Sequence, residues 1–189
     1  MSSIKSQIEN FIPSDDRESL DKKVILHCID VFPDILMREN QICHFTSSAW
    51  IINQDHTKAL ILFHNLARQW RWPGGHTDGE GDLLKVALNE AYEETGLKNL
   101  KVLNRDIFSL EILAVSAHVR KEQAVNSHLH LNAGFIFETS ERESFRIKPD
   151  ENSNIRWMDF TEITQMVESG EMSDLYLKLI KKTKRIYIK

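Results

Sequence analysis

Three carboxylates, Glu90, Glu93 and Glu94, follow closely on the segment Pro73-Gly74-Gly75-His76-Thr77-Asp78-Gly79-Glu80-Gly81-Asp82, which holds four of the chain's seven glycines. The spacing of Leu84, Ala87, Leu88 and Ala91 predicts a helix over roughly residues 83–95, with Gly96 as its left-handed terminator. At about 100° per residue, Glu94 falls about 40° from Glu90 and Glu93 about 60° to the other side, so the three acids share one face and border the apolar stripe. Like charges so spaced cost a helix on the order of 0.2–0.5 kcal/mol per pair, a penalty that a bound hard cation reverses. Oxygen ligands favour Mg2+ or Mn2+, ions that keep several waters and bridge to substrate phosphates, which points to a phosphate-containing substrate. The glycines are expected to form a loop that lets backbone approach such an ion, and the Gly75 carbonyl is a candidate ligand. The plain alternative is a solvated acidic helix face. Two other phosphate or cation motifs fail. A calcium-loop register from Asp78 puts Leu83 where glycine is needed and Asn89 where the bidentate acid belongs, and no Gly-Lys-Ser/Thr follows the glycines as in a P-loop.

The residues Pro73-Gly74-Gly75-His76 followed by Asn89-Glu90-Ala91-Tyr92-Glu93-Glu94-Thr95-Gly96-Leu97 resemble the Nudix box of the Nudix hydrolases. That pattern runs glycine, five residues, glutamate, seven residues, then Arg-Glu-apolar-x-Glu-Glu-x-Gly-apolar. Aligned on Gly75 and Gly96, this chain keeps Glu90, Glu93, Glu94 and Gly96-Leu97 in register. It departs at Gly81, flanked by Glu80 and Asp82, where the first glutamate belongs, and at Asn89 in place of the arginine. The resemblance implies an α+β fold, a Nudix-type α/β/α sandwich with a mixed β-sheet. It also implies hydrolysis of the pyrophosphate bond of a nucleoside diphosphate linked to another moiety, with Mg2+ or Mn2+. In that reading Glu90 and Glu94 bind metal, Glu93 binds a second ion or moves a proton, and a later glutamate is the base, with Glu151 the first candidate and Glu138 the second. The alternative from a different class is a catalytically weak Nudix-derived sensor of a nucleotide metabolite. Family subgroups are often told apart downstream of the box, but Leu110 to Val115 holds neither the proline nor the tyrosine that would name a substrate.

The elements around this segment follow from periodicity. Ile4, Ile8, Phe11 and Ile12 predict a short helix ending at Pro13, and Leu20, Val24, His27, Cys28 and Val31 predict a second over residues 15–31, with Ser14 as a plausible cap. Residues 1–40 are therefore expected to be a helical extension, a candidate for covering a sheet edge, supporting a homodimer or lidding the site, and residues 41–189 the Nudix domain. Phe45–Ile52 and Lys58–Phe63 flank a turn at Asn53 to His56 and read as a hairpin. Ile107–Val119, Leu129–Phe137 and Asn154–Met158 read as strands. Ile163, Met166 and Val167 support one closing helix and Leu175, Leu177, Leu179 and Ile180 another, with Lys181–Lys189 expected to be a solvated basic tail.

Composition bounds the rest. The 189 residues are 41% hydrophobic and 28% charged, which fits one soluble domain with a sizeable core, and a net charge of −4 argues against nucleic acid as a main partner. The longest apolar run, Ala59 to Phe63, is far short of a membrane span, and the start MSSIKSQIEN has no apolar signal stretch, so a cytoplasmic location is expected. Cys28 and Cys43 read as ordinary thiols. Arg68, Arg71, Trp72 and His76 are the candidates for holding substrate, as cations or aromatic faces near the glycine segment. His128 and His130, two apart on one strand, face the same side with His118 nearby. Substrate-cleft or surface roles are preferred for them, because zinc would need a further ligand.

Overall fold

The computed structural model describes residues 4–120, 122–166 and 171–187; Val167, Ile188 and Lys189, used in the expectations above, lie outside them. The first helix, α1 (Ile4–Asn10), stops before Pro13, and α2 (Asp16–Val31) starts where the Asp15 carboxylate accepts from the Glu18 amide at 2.8 Å. The cap is thus Asp15 rather than Ser14, whose amide and hydroxyl instead donate to the Glu18 carboxylate at 2.8 and 2.9 Å. The buried face of α2 also differs from the expected one. Glu18, Asp21, Ile25 and Cys28 turn inward, while Leu20, Val24 and Val31 are 59%, 45% and 50% exposed. The inward acids have donors to satisfy: Asp21 accepts from the Ile112 amide at 3.3 Å.

The strands are β1 (Cys43–Asn53), β2 (Lys58–His64), β3 (Gln69–Arg71), β4 (Gly74–His76), β5 (Lys101–Val102), β6 (Ser109–Val115), β7 (His118–Arg120), β8 (Gln123–Val125), β9 (His128–Thr139) and β10 (Asn152–Asp159). The remaining helices are α3 (Leu83–Thr95), α4 (Phe160–Met166) and α5 (Glu171–Tyr187). Two compact units are present. The first combines the segment ending at Ser48 with Gly74–Asn89 and Asn104–Phe135, and the second combines Ala49–Pro73, Glu90–Leu103 and the segment from Ile136 on.

In the first unit β4 pairs antiparallel with the start of β1, placing His76 opposite Thr46 and Gly75 opposite Ser47. The glycine segment is therefore strand at its start, not wholly loop. Gly74 permits this, since a Cβ there would sit 2.7 Å from the Ser48 Cβ. The start of β9 pairs with β6, and β7 and β8 form a separate two-stranded ribbon, so the expected strand Ile107–Val119 is broken after Val115. Ile8, Ile25, Phe45, Leu110 and Leu131 supply buried apolar bulk here.

In the second unit the strand order is β10-β2-β1-β9-β5, with β3 on β2. The β1–β2 turn is set by Asn53, whose side-chain oxygen accepts from the amides of Thr57 and Lys58 at 2.8 and 3.0 Å. Trp50, fully buried, stacks on Phe160 and meets Tyr176 at a ring separation of 6.1 Å. The segment expected to be a solvated tail continues α5 through Tyr187. Its periodicity buries Lys182 and Thr183, and the Thr183 hydroxyl accepts from the Trp50 indole at 3.0 Å. Thr183→Val is expected to strand that buried N–H and cost about 1–3 kcal/mol in urea unfolding, while Lys184→Ala on the exposed face stays within about 0.5 kcal/mol.

Candidate active site

Helix α3 is capped by Asp82, whose carboxylate accepts from the Lys85 amide at 3.1 Å, and it ends at Gly96, which adopts φ +67. Its buried stripe runs Leu83, Val86, Ala87, Ala91, Glu94 and Thr95, with Leu84 and Leu88 only half-buried. The acids therefore do more than border the core. Glu94 lies on the buried stripe itself, 4% exposed, Glu90 is half-buried beside it, and Glu93 is exposed. Burial, reinforced by the charges of Glu94 and Glu93, pushes the Glu90 carboxyl up to about 7.

Three residues from the turn into β10 complete the cluster. Lys148 Nζ lies 3.2 Å from Glu151 and 3.8 Å from Glu93, and its backbone carbonyl accepts from the amides of Glu151 and Asn152 at 3.0 and 2.8 Å. Burial acts to lower the Lys148 ammonium, but the hydrogen bond and charge of Glu151, with Glu93, hold it above the usual lysine range. Asn152, 1% exposed, donates to Glu94 Oε1 at 3.1 Å, and its own side-chain oxygen is buried without a partner. Sequence reasoning named Glu151 but missed Lys148 and Asn152, which carry no local motif. Their one signal is their place about the start of a strand. Glu138, the second candidate, pairs with His56 at 2.8 Å and Lys101 at 2.9 Å.

The substrate candidates differ in surroundings. Arg68 is exposed in the β2–β3 turn at φ +51. Arg71 is half-buried with its Nε unpartnered, burial lowers its guanidinium below the usual arginine value, and its side chain makes no hydrogen bond or ion pair with another described residue. Trp72 packs edge-on against Tyr176 at 5.0 Å and Trp50 at 6.4 Å. Trp70 lies under the Arg156 guanidinium at 5.1 Å. In the first unit, Gly75 lies on β4, and His76 joins a group of imidazoles with His44, His128 and His130. Asn89 is exposed, and the cation among the carboxylates is Lys148.

A family model described as the NUDIX domain matches residues 44–178. The chain belongs to the NUDIX family. Solved structures share the fold of this NUDIX chain at low identity. A Nudix hydrolase from M. smegmatis is 14% identical, with TM-score 0.54 and coverage of 77% of this chain and 89% of that one. A NUDIX-family hydrolase from Clostridium perfringens is 17% identical, TM-score 0.53, covering 76% and 97%. An Ap4A hydrolase from C. elegans is 18% identical, TM-score 0.51, covering 75% and 95%. No curated protein matches the sequence. No helix among the described residues is long and apolar enough to cross a membrane.

The raised Glu90 value has a measurable consequence. Unfolded, the carboxyl titrates at its ordinary 4.5, and folded at about 7, so the folded state alone holds the proton in between. Its stabilisation is present below about 4.5 and is lost as pH rises through about 7. In chelator-treated protein, wild type is expected to lose on the order of 1 kcal/mol relative to Glu90→Gln across that window, read by thermal melts, with no further loss above it.

Proposed function

We propose that this NUDIX domain is a Mg2+- or Mn2+-dependent hydrolase that cleaves the pyrophosphate bond of a nucleoside diphosphate linked to another moiety. The observation that carries the reading is the convergence of Glu90, Glu93 and Glu94 with Lys148, Glu151 and a buried Asn152 whose oxygen lacks a partner. An all-oxygen donor set with a half-buried carboxyl near neutrality fits a hard divalent cation, and Glu90 and Glu94, with Glu93, are the residues to hold it. When bound, that cation would neutralise pyrophosphate oxygens and lower the pKa of coordinated water.

The chain's own residues divide the remaining work. Glu151 accepts a proton from the attacking water, whose oxygen bonds to phosphorus as the bridging P–O bond breaks and yields two phosphorylated products. Lys148 pairs with Glu151 and Glu93 and brings them a positive charge that Asn89 cannot supply. Asn152 orients Glu94 through its amide. Arg71, a partly buried guanidinium with no acid beside it among the described residues, is the first candidate to meet a substrate phosphate, with Arg68 the second. The Trp72 ring packs against Trp50 and Tyr176. A cytoplasmic location belongs to this reading, in keeping with the two buried free cysteines.

Product release from nucleoside triphosphates, nucleotide sugars, dinucleotides and dinucleoside polyphosphates with Mg2+ or Mn2+ tests the proposal. Turnover of one class is expected, reduced in Glu94→Gln by more than the roughly 100-fold that losing an outer-shell partner costs. Tight nucleotide binding with no turnover of any class would favour the sensor. In Glu151→Gln, kcat is expected to fall about 100-fold or more with little change in KM, and unchanged turnover would remove Glu151 from the role of base.

A further inference from the structure

The first unit holds a second group of ligating side chains, unrelated to the carboxylates. One ring nitrogen from each of His44, His76 and His130 lies within 4.8 Å of the other two. The ring centroids of His44 stand 5.0 Å from His76, 4.9 Å from His128 and 5.0 Å from His130. The strands dictate this. His76 on β4 is the register partner of Thr46, two residues along β1 from His44, and His128 and His130 alternate onto one face of β9.

His44 is the informative member. It is 3% exposed, and its Nδ1 is 2.8 Å from the Asn40 carbonyl, so Nδ1 carries the proton and donates. Its Nε2, the lone-pair nitrogen, is buried with no hydrogen-bond partner. A buried acceptor left unpaired costs about 1–3 kcal/mol, and here it stands among three further imidazoles. His128 repeats the arrangement, with Nδ1 2.8 Å from the Asn126 carbonyl and Nε2 3.1 Å from His130 Nε2. A backbone carbonyl holding Nδ1–H is the outer-shell partner that fixes a metal-ligating histidine in its Nε2-donor tautomer. Asp78, the carboxylate whose charge reaches His44, is taken up by Arg38, so the donors are imidazole nitrogens rather than oxygens.

We propose that His44, His76 and His130 bind a divalent transition-metal ion of the zinc class, with His128 as a fourth ligand or as the hydrogen-bond partner of His130. Imidazoles suit zinc, nickel or copper and are poor ligands for Mg2+, so this site selects a different ion from the one the carboxylates hold. Zinc bonds of 2.0–2.1 Å put tetrahedral ligand atoms roughly 3.3 Å apart, so the three nitrogens need to close by at most about 1.5 Å, within the reach of small ring rotations.

The test needs no substrate. Full-length protein stripped by chelator is titrated with Zn2+ and, separately, with Co2+, with bound metal, visible spectrum and melting temperature as readouts. One zinc per chain, a raised melting temperature and tetrahedral cobalt bands are expected. His76→Gln and His130→Gln, at half-buried positions and checked for folding by circular dichroism, are expected to weaken zinc by more than about 100-fold, beyond the cost of an outer-shell loss. Glu94→Gln is expected to keep zinc unchanged, which separates this site from the hydrolytic reading. Zinc no tighter to the wild type than to folded His130→Gln, or a cobalt spectrum without tetrahedral bands, overturns the proposal.

Discussion

Two carboxylates on the inward side of a helix set the terms for the second unit. A charge taken out of water costs several kcal/mol unless it is paired, hydrogen-bonded or neutralised by a proton, and Glu94 and Glu90 are one helical turn apart on the same side. All three remedies appear. Asn152 gives Glu94 a hydrogen bond, Lys148 brings a positive charge to Glu93 and Glu151, and Glu90 retains its proton to about neutral pH.

Those remedies depend on where the chain enters β10. The pairing of β10 with β2 runs in register from Asp159 opposite Lys58 back to Asn154 opposite Phe63, then shifts so that Asn152 meets His64. The irregularity leaves exposed Ser153 as the extra residue. With Lys148 closing the preceding turn through its carbonyl, this bulge holds Asn152 inward and Glu151 toward the lysine. The strand end thereby supplies the amide and the cation that the helix lacks.

The first unit solves a similar problem with different chemistry. Its concentrated polar group is imidazole, which can be neutral at physiological pH and so tolerates burial that would ruin a cluster of four lysines. Backbone carbonyls at Asn40 and Asn126 settle two of the tautomers, and Gly74 lets β4 lie close enough to β1 to bring His76 beside His44.

Local rules sufficed for much of this chain. The extent of α3, its Asp82 cap and its Gly96 stop follow from side chains that satisfy or free the backbone within a turn, and the hairpin at Asn53 follows from one side-chain amide. The three helix glutamates were legible for the same reason, since 3.6-residue periodicity is a property of the helix alone. Which face of a helix turns inward was not local. On α2 the acids went in and Leu20, Val24 and Val31 stayed out, and on α3 Glu94 lies in the buried stripe while Leu88 is only half-buried, with distant backbone and side-chain donors satisfying the inward acids. Lys182 and Thr183 read as tail until the indole of Trp50 gave Thr183 a buried partner. Lys148, Asn152 and His44 were beyond the sequence because Glu93, Glu94 and the imidazoles of His76 and His130, which they meet, lie tens of residues away, and only strand register and the packing of the turn into β10 bring them within hydrogen-bonding or ligating distance.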